Sequence, residues 1–198
     1  MKKFTTDHRT RVTKMLIRRA FMELLSHQPI QSISIRELCE KAGVSRGTFY
    51  SHYADIYDLL HQIESEMLEE ISKALEPLLD SSSSASLVAV NRRIFEVLKA
   101  NSDLCTVTLG DYGDKGFAIR LINLGRERCI DRYRIRFQNA TAREIDFYYA
   151  FVSSGIIGLL RAWLDTGMTA SPAEIADLAE GLMLHGLDYF ENHQKESE

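Results

Sequence analysis

At 198 residues the chain has room for one large domain, or for a small one joined to a medium one. A hydrophobic share of 45% with only 3 Pro excludes global disorder and a turn-rich all-β fold. The net charge of −4 excludes a uniformly basic nucleic-acid binder, yet residues 1–60 carry 10 Lys and Arg against 6 Asp and Glu, and residues 61–198 carry 14 against 22. A basic head on an acidic body is the asymmetry expected when only the head meets phosphates.

The first helix is predicted from about Asp7–Arg11 to His27. Val12, Leu16, Ile17, Ala20, Phe21, Leu24 and Leu25 make its apolar face, Arg18 and Arg19 a solvated one, and Pro29 ends it. Ser34-Ile35-Arg36-Glu37 reads as a capping box opening a short helix to about Lys41, with Ile35, Leu38 and Cys39 inward. Ala42-Gly43-Val44 breaks it, and Ser45 caps the next short helix, Arg46 to His52. A longer helix starts near Ala54 or Asp55 and runs to about Leu79, and Ser81-Ser82-Ser83-Ser84 reads as an exposed linker. Four more helices follow at about 86–100, 116–138, 141–166 and 173–192, with a short turn of helix between Asn101 and Asp114 and a loop over Gly110–Gly116. No segment alternates as a strand does, so the fold class is all-α.

Ser34 to Tyr53 is the informative stretch. Two short helices joined by Ala-Gly-Val-Ser form the helix-turn-helix pattern. Gly43 makes the tight turn, small Cys39 lets the helices approach, and Val44 and Phe49 plug the gap between them. The second helix then offers Ser45, Arg46, Gly47, Thr48 and Ser51 to a major groove. Gly47 admits close backbone approach, and Arg46 can fork onto a guanine or a phosphate.

Ile33–Tyr53, ISIRELCEKAGVSRGTFYSHY, resembles the helix-turn-helix of the tetracycline-repressor (TetR) family, and the likeness covers about residues 8–60. The resemblance implies that Arg46 and Thr48 sit near bases, that Ser34, Tyr50 and His52 contact backbone phosphates, and that Phe49 and Tyr53 are core. It also implies double-stranded operator DNA as partner and a C-terminal domain that binds a small effector, with binding altering the separation of two DNA heads. The sequence departs from the family at Ile56, where a phosphate-binding Lys is common; Lys41, Arg46, Arg9 or Arg11 would compensate. Phe151–Ala179 is similar to TetR relatives grouped with regulators of dihydroxyacetone kinase. That likeness implies dimerisation and leaves open control by a protein partner in place of a small molecule. The expected domains are therefore a helix-turn-helix unit over 1–55 and a regulatory and dimerisation unit over 56–198.

One helix-turn-helix buries too little surface for high specificity, so a homodimer on a pseudo-palindromic operator is expected. Ser154, Gly155 and Gly158 are small enough for close helix approach; Leu159, Ala162 and Trp163 lie on or near the same stripe; Ala176, Ala179, Leu182, Met183 and Gly186 supply a facing one. Part of each stripe is expected to face its own core. Tyr112 and Arg120 are candidate polar groups of an effector pocket.

Other chemistry is unsupported. No nucleophile elbow, phosphate loop or dinucleotide fingerprint occurs, so no catalytic residue and no cofactor is assigned, and an enzyme is a distant alternative. The six His form no HxxxH or HExxH pair, and Cys39, Cys105 and Cys129 have neither disulfide nor zinc spacing. The amino terminus has no apolar signal core, and the longest uncharged apolar run, Phe147–Leu160, is too short for a bilayer. A cytoplasmic transcriptional repressor is the resulting expectation, with a helical interaction protein that has lost DNA binding as its rival.

Overall fold

The computed structural model describes residues 2–76, 87–109 and 115–186. Its helices are α1 (Lys2–Leu25), α2 (Ile35–Ala42), α3 (Arg46–Tyr50), α4 (Ile56–Leu75), α5 (Leu87–Ala100), α6 (Ser102–Leu109), α7 (Lys115–Leu124), α8 (Arg126–Arg136), α9 (Ala142–Asp165) and α10 (Pro172–His185), with a 3₁₀ turn at Ile30–Ser32. There is no strand among the described residues, and the fold is all-α, a helix-turn-helix at the amino-terminal end and a helical domain beyond it. The predicted serine linker at Ser81–Ser84, the loop residues 110–114 with Tyr112, and the last helix beyond Gly186 lie outside the described residues.

The chain divides into two compact units, one of Met1–Met67 with Asp103–Phe117, the other of Leu68–Ser102 with Ala118–Glu198. In the first unit α1 buries Ile17, Ala20, Phe21, Leu24 and Leu25. Val12 and Leu16, expected on that face, are exposed, as is Met15. The helix simply outlasts the core it packs on. Arg18 is not free in solvent as expected: its guanidinium donates to both carboxylate oxygens of Asp103 in α6, at 2.9 and 3.2 Å, while Arg19 is exposed. The segment expected to hold one turn is the two-turn α6, which buries Leu104, Cys105 and Val107.

In the second unit α5 and α10 run against each other, and Phe95 of α5 meets Trp163 of α9 edge-to-face at 5.8 Å. The Trp163 indole N–H donates to the Ala170 carbonyl at 3.1 Å. Both α9 and α10 open on complete capping boxes, Thr141 with Glu144 and Ser171 with Glu174, and Pro172 opens α10. The single helix expected over 116–138 is two helices broken at Gly125, and Gly116, expected in a loop, belongs to α7. A β-carbon at Gly125 would lie 3.3 Å from Leu75 Cδ1. A side chain there would press on Leu75 of α4, and glycine is a poor interior helix residue. Ile130, Ile145 and Tyr149 form a small core where α8 meets α9, and the Tyr149 hydroxyl donates to the Ile122 carbonyl at 2.5 Å.

As a whole helix, α9 is long and apolar enough by length and composition to cross a membrane, which the 14-residue uncharged run did not suggest. One such helix is weak evidence for a span. In this unit α9 is tied by its cap and by Tyr148, whose hydroxyl donates to the Met183 carbonyl of α10 at 2.8 Å.

Candidate functional site

The turn between α2 and α3 follows from local chemistry. Gly43 takes φ +68°, the left-handed conformation that side chains disfavour. Its N–H donates to the Glu40 carbonyl and the Val44 N–H to the Cys39 carbonyl at 3.0 Å, which closes the end of α2 in a Schellman arrangement. Leu38, Cys39 and Ala42 are buried below, and Phe49 of α3 is fully buried against them, with Tyr53 5.6 Å from its ring. Three anchors thus hold the five-residue α3, which is too short to be stable alone.

The sequence-predicted DNA residues lie at the start of α2, on α3 and just after it; most are exposed, with Thr48 and His52 half-buried. Ser34 and Ser45 are N-caps: the Ser34 hydroxyl accepts from the Glu37 N–H at 3.1 Å, and the Ser45 hydroxyl accepts from the Thr48 N–H at 3.0 Å. Ser45 Oγ also lies 2.8 Å from Thr48 Oγ1, and the Ser51 hydroxyl donates to the Thr48 carbonyl at 2.7 Å. Arg46, Gly47 and Tyr50 are exposed, and His52 is half-buried. Arg46 makes no ion pair among the described residues. A β-carbon at Gly47 would meet nothing nearer than Ser45 Oγ at 3.8 Å, so folding does not itself require glycine there. Tyr50 stands edge-on to Phe49 at 5.6 Å, its ring braced and half of its surface free.

The cations around this face differ in availability. Lys41 is held by Glu23 at 2.6 Å and Arg36 by Glu40 at 2.8 Å, whereas Arg9, Arg11 and Arg19 are exposed. Lys14 lies over the Tyr53 ring at 5.7 Å. Ile56 is a buried core residue at the start of α4. Asp55 Oδ1 accepts the N–H groups of Tyr57 and Asp58, and Asp58 Oδ2 accepts from the Ala54 N–H, all at 2.8 Å. The Ala54 N–H, then the Gln62 amide, hold the Asp58 carboxyl below its ordinary range. Two carboxylates therefore occupy a helix N-terminus that would otherwise attract phosphate.

Residues 17–63 match the model of the tetR family of bacterial regulatory proteins, and residues 88–185 match a transcriptional-regulator C-terminal region of the same group. The chain belongs to the TetR family of transcriptional regulators. It is 26% identical over 171 residues to the uncharacterized HTH-type transcriptional regulator YxbF of Bacillus subtilis, a match that takes in 86% of this chain. The chain spans less than half, 44%, of that relative's length. Its fold is similar to that of FadR from Bacillus subtilis solved with stearoyl-CoA (TM-score 0.62, 15% identity, 87% of this chain and 98% of that one). It is likewise similar to the dihydroxyacetone kinase operon activator DhaS (TM-score 0.57, 18% identity, 89% and 96%).

In this TetR-family regulator the second unit holds a partly open apolar cavity of about 160 Å³ among α4, α5 and α7–α10. Its polar lining includes Tyr133, Arg136 and Glu180, which sequence reasoning missed: α8 reads in sequence as an arginine-rich solvated helix. Arg120, the candidate offered by sequence, is exposed on α7. No cluster of metal ligands occurs among the described residues. Of the residues singled out for assembly, Ser154, Gly155, Gly158, Ala162 and Gly186 are exposed, Met183 is half-buried, and Ala176, Ala179 and Trp163 are buried in their own unit.

Proposed function

We propose that this TetR-family regulator is a cytoplasmic repressor that binds a pseudo-palindromic operator as a homodimer, reading DNA with residues 1–55 and receiving a small-molecule signal with residues 56–198. The observation that carries the reading is the α2–α3 face, on which exposed, unpaired Arg46 stands beside a glycine that its own fold does not need. Arg46 and Thr48 would contact bases, with Gly47 admitting close approach. Ser34, Tyr50 and His52 would bind the backbone and fix the register, with Ser45 and Ser51 on the face turned to the groove. The exposed Arg9 and Arg11 of α1 take the place of the lysine that Ile56 replaces. Arg46→Ala should weaken binding by roughly 1–3 kcal/mol and relax preference at one base position, measured on duplexes selected by the wild-type protein from a random pool at fixed low salt. Wild-type affinity in that variant would overturn the groove assignment.

Dimerisation is assigned to the exposed stripe of α9 through Ser154, Gly155, Gly158 and Ala162, joined by Met183 and Gly186; Ala179 supports it from within. Control by an effector rests on the apolar cavity, since a ligand preferring one conformation shifts the population towards it. FadR of Bacillus subtilis, a fold relative, is solved with a small molecule, stearoyl-CoA. A protein partner is the second reading, favoured by Phe147 and Phe151 of α9, which are 62% and 75% exposed. Operator release by a pure small molecule supports the first reading; release only by a second protein supports the other.

A further inference from the structure

The cavity of the second unit has a size and a polarity that narrow its ligand. At about 160 Å³ it is close to the ~150 Å³ that accepts benzene and well below the ~300 Å³ at which drug-sized sites begin. One ring with a substituent fills that volume. Three aromatic side chains of the lining already pack against one another, Tyr133 on Tyr148 at 5.0 Å, Phe137 on Tyr148 at 5.7 Å and Tyr133 on Phe137 at 6.2 Å. Such a cluster presents ring edges and faces to a further ring.

The polar lining is sparse, and most of it is spent. The Tyr148 hydroxyl donates to the Met183 carbonyl, the Tyr149 hydroxyl to the Ile122 carbonyl and the Ser153 hydroxyl to the Ala150 carbonyl. Tyr133 is different: no described residue receives its hydroxyl. Burial pushes its pKa up, so it stays a neutral donor. Arg136 and Glu180 complete the set with Asn91 and the Cys129 thiol. Arg136 lies over the Phe137 ring at 5.8 Å. Burial and then Asp177 raise the pKa of Glu180, with Arg136 close enough to oppose them. A head group with a full charge of either sign would meet one attraction and one repulsion from this pair. An uncharged group that both donates and accepts meets no such penalty and can accept from the Tyr133 hydroxyl.

We propose that the cavity binds a compact, uncharged aromatic molecule with one hydrogen-bonding substituent, of the phenol or primary benzamide class. The proposal rests on the effector reading above. Calorimetry on the full-length protein with p-cresol, benzamide, benzoate, benzylammonium and toluene tests it. The two uncharged polar probes should bind at least tenfold more tightly than the two ions. Tyr133→Phe, which keeps the ring and its packing, should weaken p-cresol several-fold and leave toluene unchanged. A charged probe binding as tightly as its uncharged counterpart, or no probe binding to folded protein, overturns the proposal. Operator retention, read separately, divides this proposal from the effector reading. Binding of p-cresol without operator release leaves the ligand class standing and defeats the effector reading. Release by a charged or long-chain molecule, with p-cresol unbound, does the reverse.

Discussion

Gly43 shows how much one residue can be asked to do. A β-carbon there would meet nothing within 4 Å, so the cost of replacing it is conformational and not a clash. Gly43→Ala should therefore destabilise the protein by about 1–2 kcal/mol, the penalty for a side chain in the left-handed region, with the loss read in urea unfolding. The start of α4 is the converse case, where electrostatics governs. Asp55 caps the helix with its Oδ1 and also places a negative charge where family resemblance expects phosphate. Asparagine is as good a cap. Asp55→Asn should leave the unfolding midpoint nearly unchanged and raise DNA affinity several-fold at low salt, with the gain shrinking as salt is added. An unchanged affinity would place this helix end away from the phosphates. These residues were legible to different degrees: the glycine and both serine caps stand in plain sequence, whereas the burial of Ile56 depends on what lies beneath it.

Among the elements, α9 and α10 owe their starting points to paired caps. The Thr141 N–H, then its hydroxyl, hold the Glu144 carboxyl below its ordinary range, and Ser171 does the same for Glu174. A carboxylate with a depressed folded-state pKa adds stability above its unfolded value, and that contribution is lost as pH falls through the folded one. Glutamine can take the same hydrogen-bonded position but cannot titrate. Thermal unfolding of the Glu144→Gln, Glu174→Gln double variant should therefore be less stable than wild type at neutral pH, with the gap closing on acidification below the carboxylate range. A gap independent of pH would mean that the caps act by shape alone. Both helices were expected near these positions in sequence, and the structure adds the capping boxes that start them. The break between α7 and α8 was not legible, because the apolar spacing continues through Gly125 and a single glycine inside a helical pattern does not by itself fix a boundary.

At the scale of the whole molecule, the exposed face of α9 asks for a partner. Ser154, Gly155, Gly158 and Ala162 form a stripe that the unit leaves in solvent, and β-carbons at Gly155 and Gly158 would meet only open space. Nothing within its own unit demands glycine at either place. Gly158→Glu should give a helical monomer at micromolar concentration in sedimentation, with tight operator binding lost, while the wild type sediments as a dimer. A monomeric wild type would remove the basis for a two-half-site operator.

The sequence by itself determined what depends on near neighbours. The caps at Ser34, Ser45, Thr141 and Ser171, the left-handed turn at Gly43 and the apolar period of α4 are set by partners within a few positions, and the diagnostic stretch Val44–Tyr53 carried the family with them. Tertiary structure alone decided which charges remain free and where space remains. Lys41 is consumed by Glu23 of α1, and Arg18 by Asp103, 85 positions along the chain. The cavity with Tyr133, Arg136 and Glu180 in its lining exists because separate helices meet imperfectly. Side-chain periodicity tells which face of a helix is apolar; whether that face meets a core, a void or a second molecule is settled by packing between elements distant in sequence.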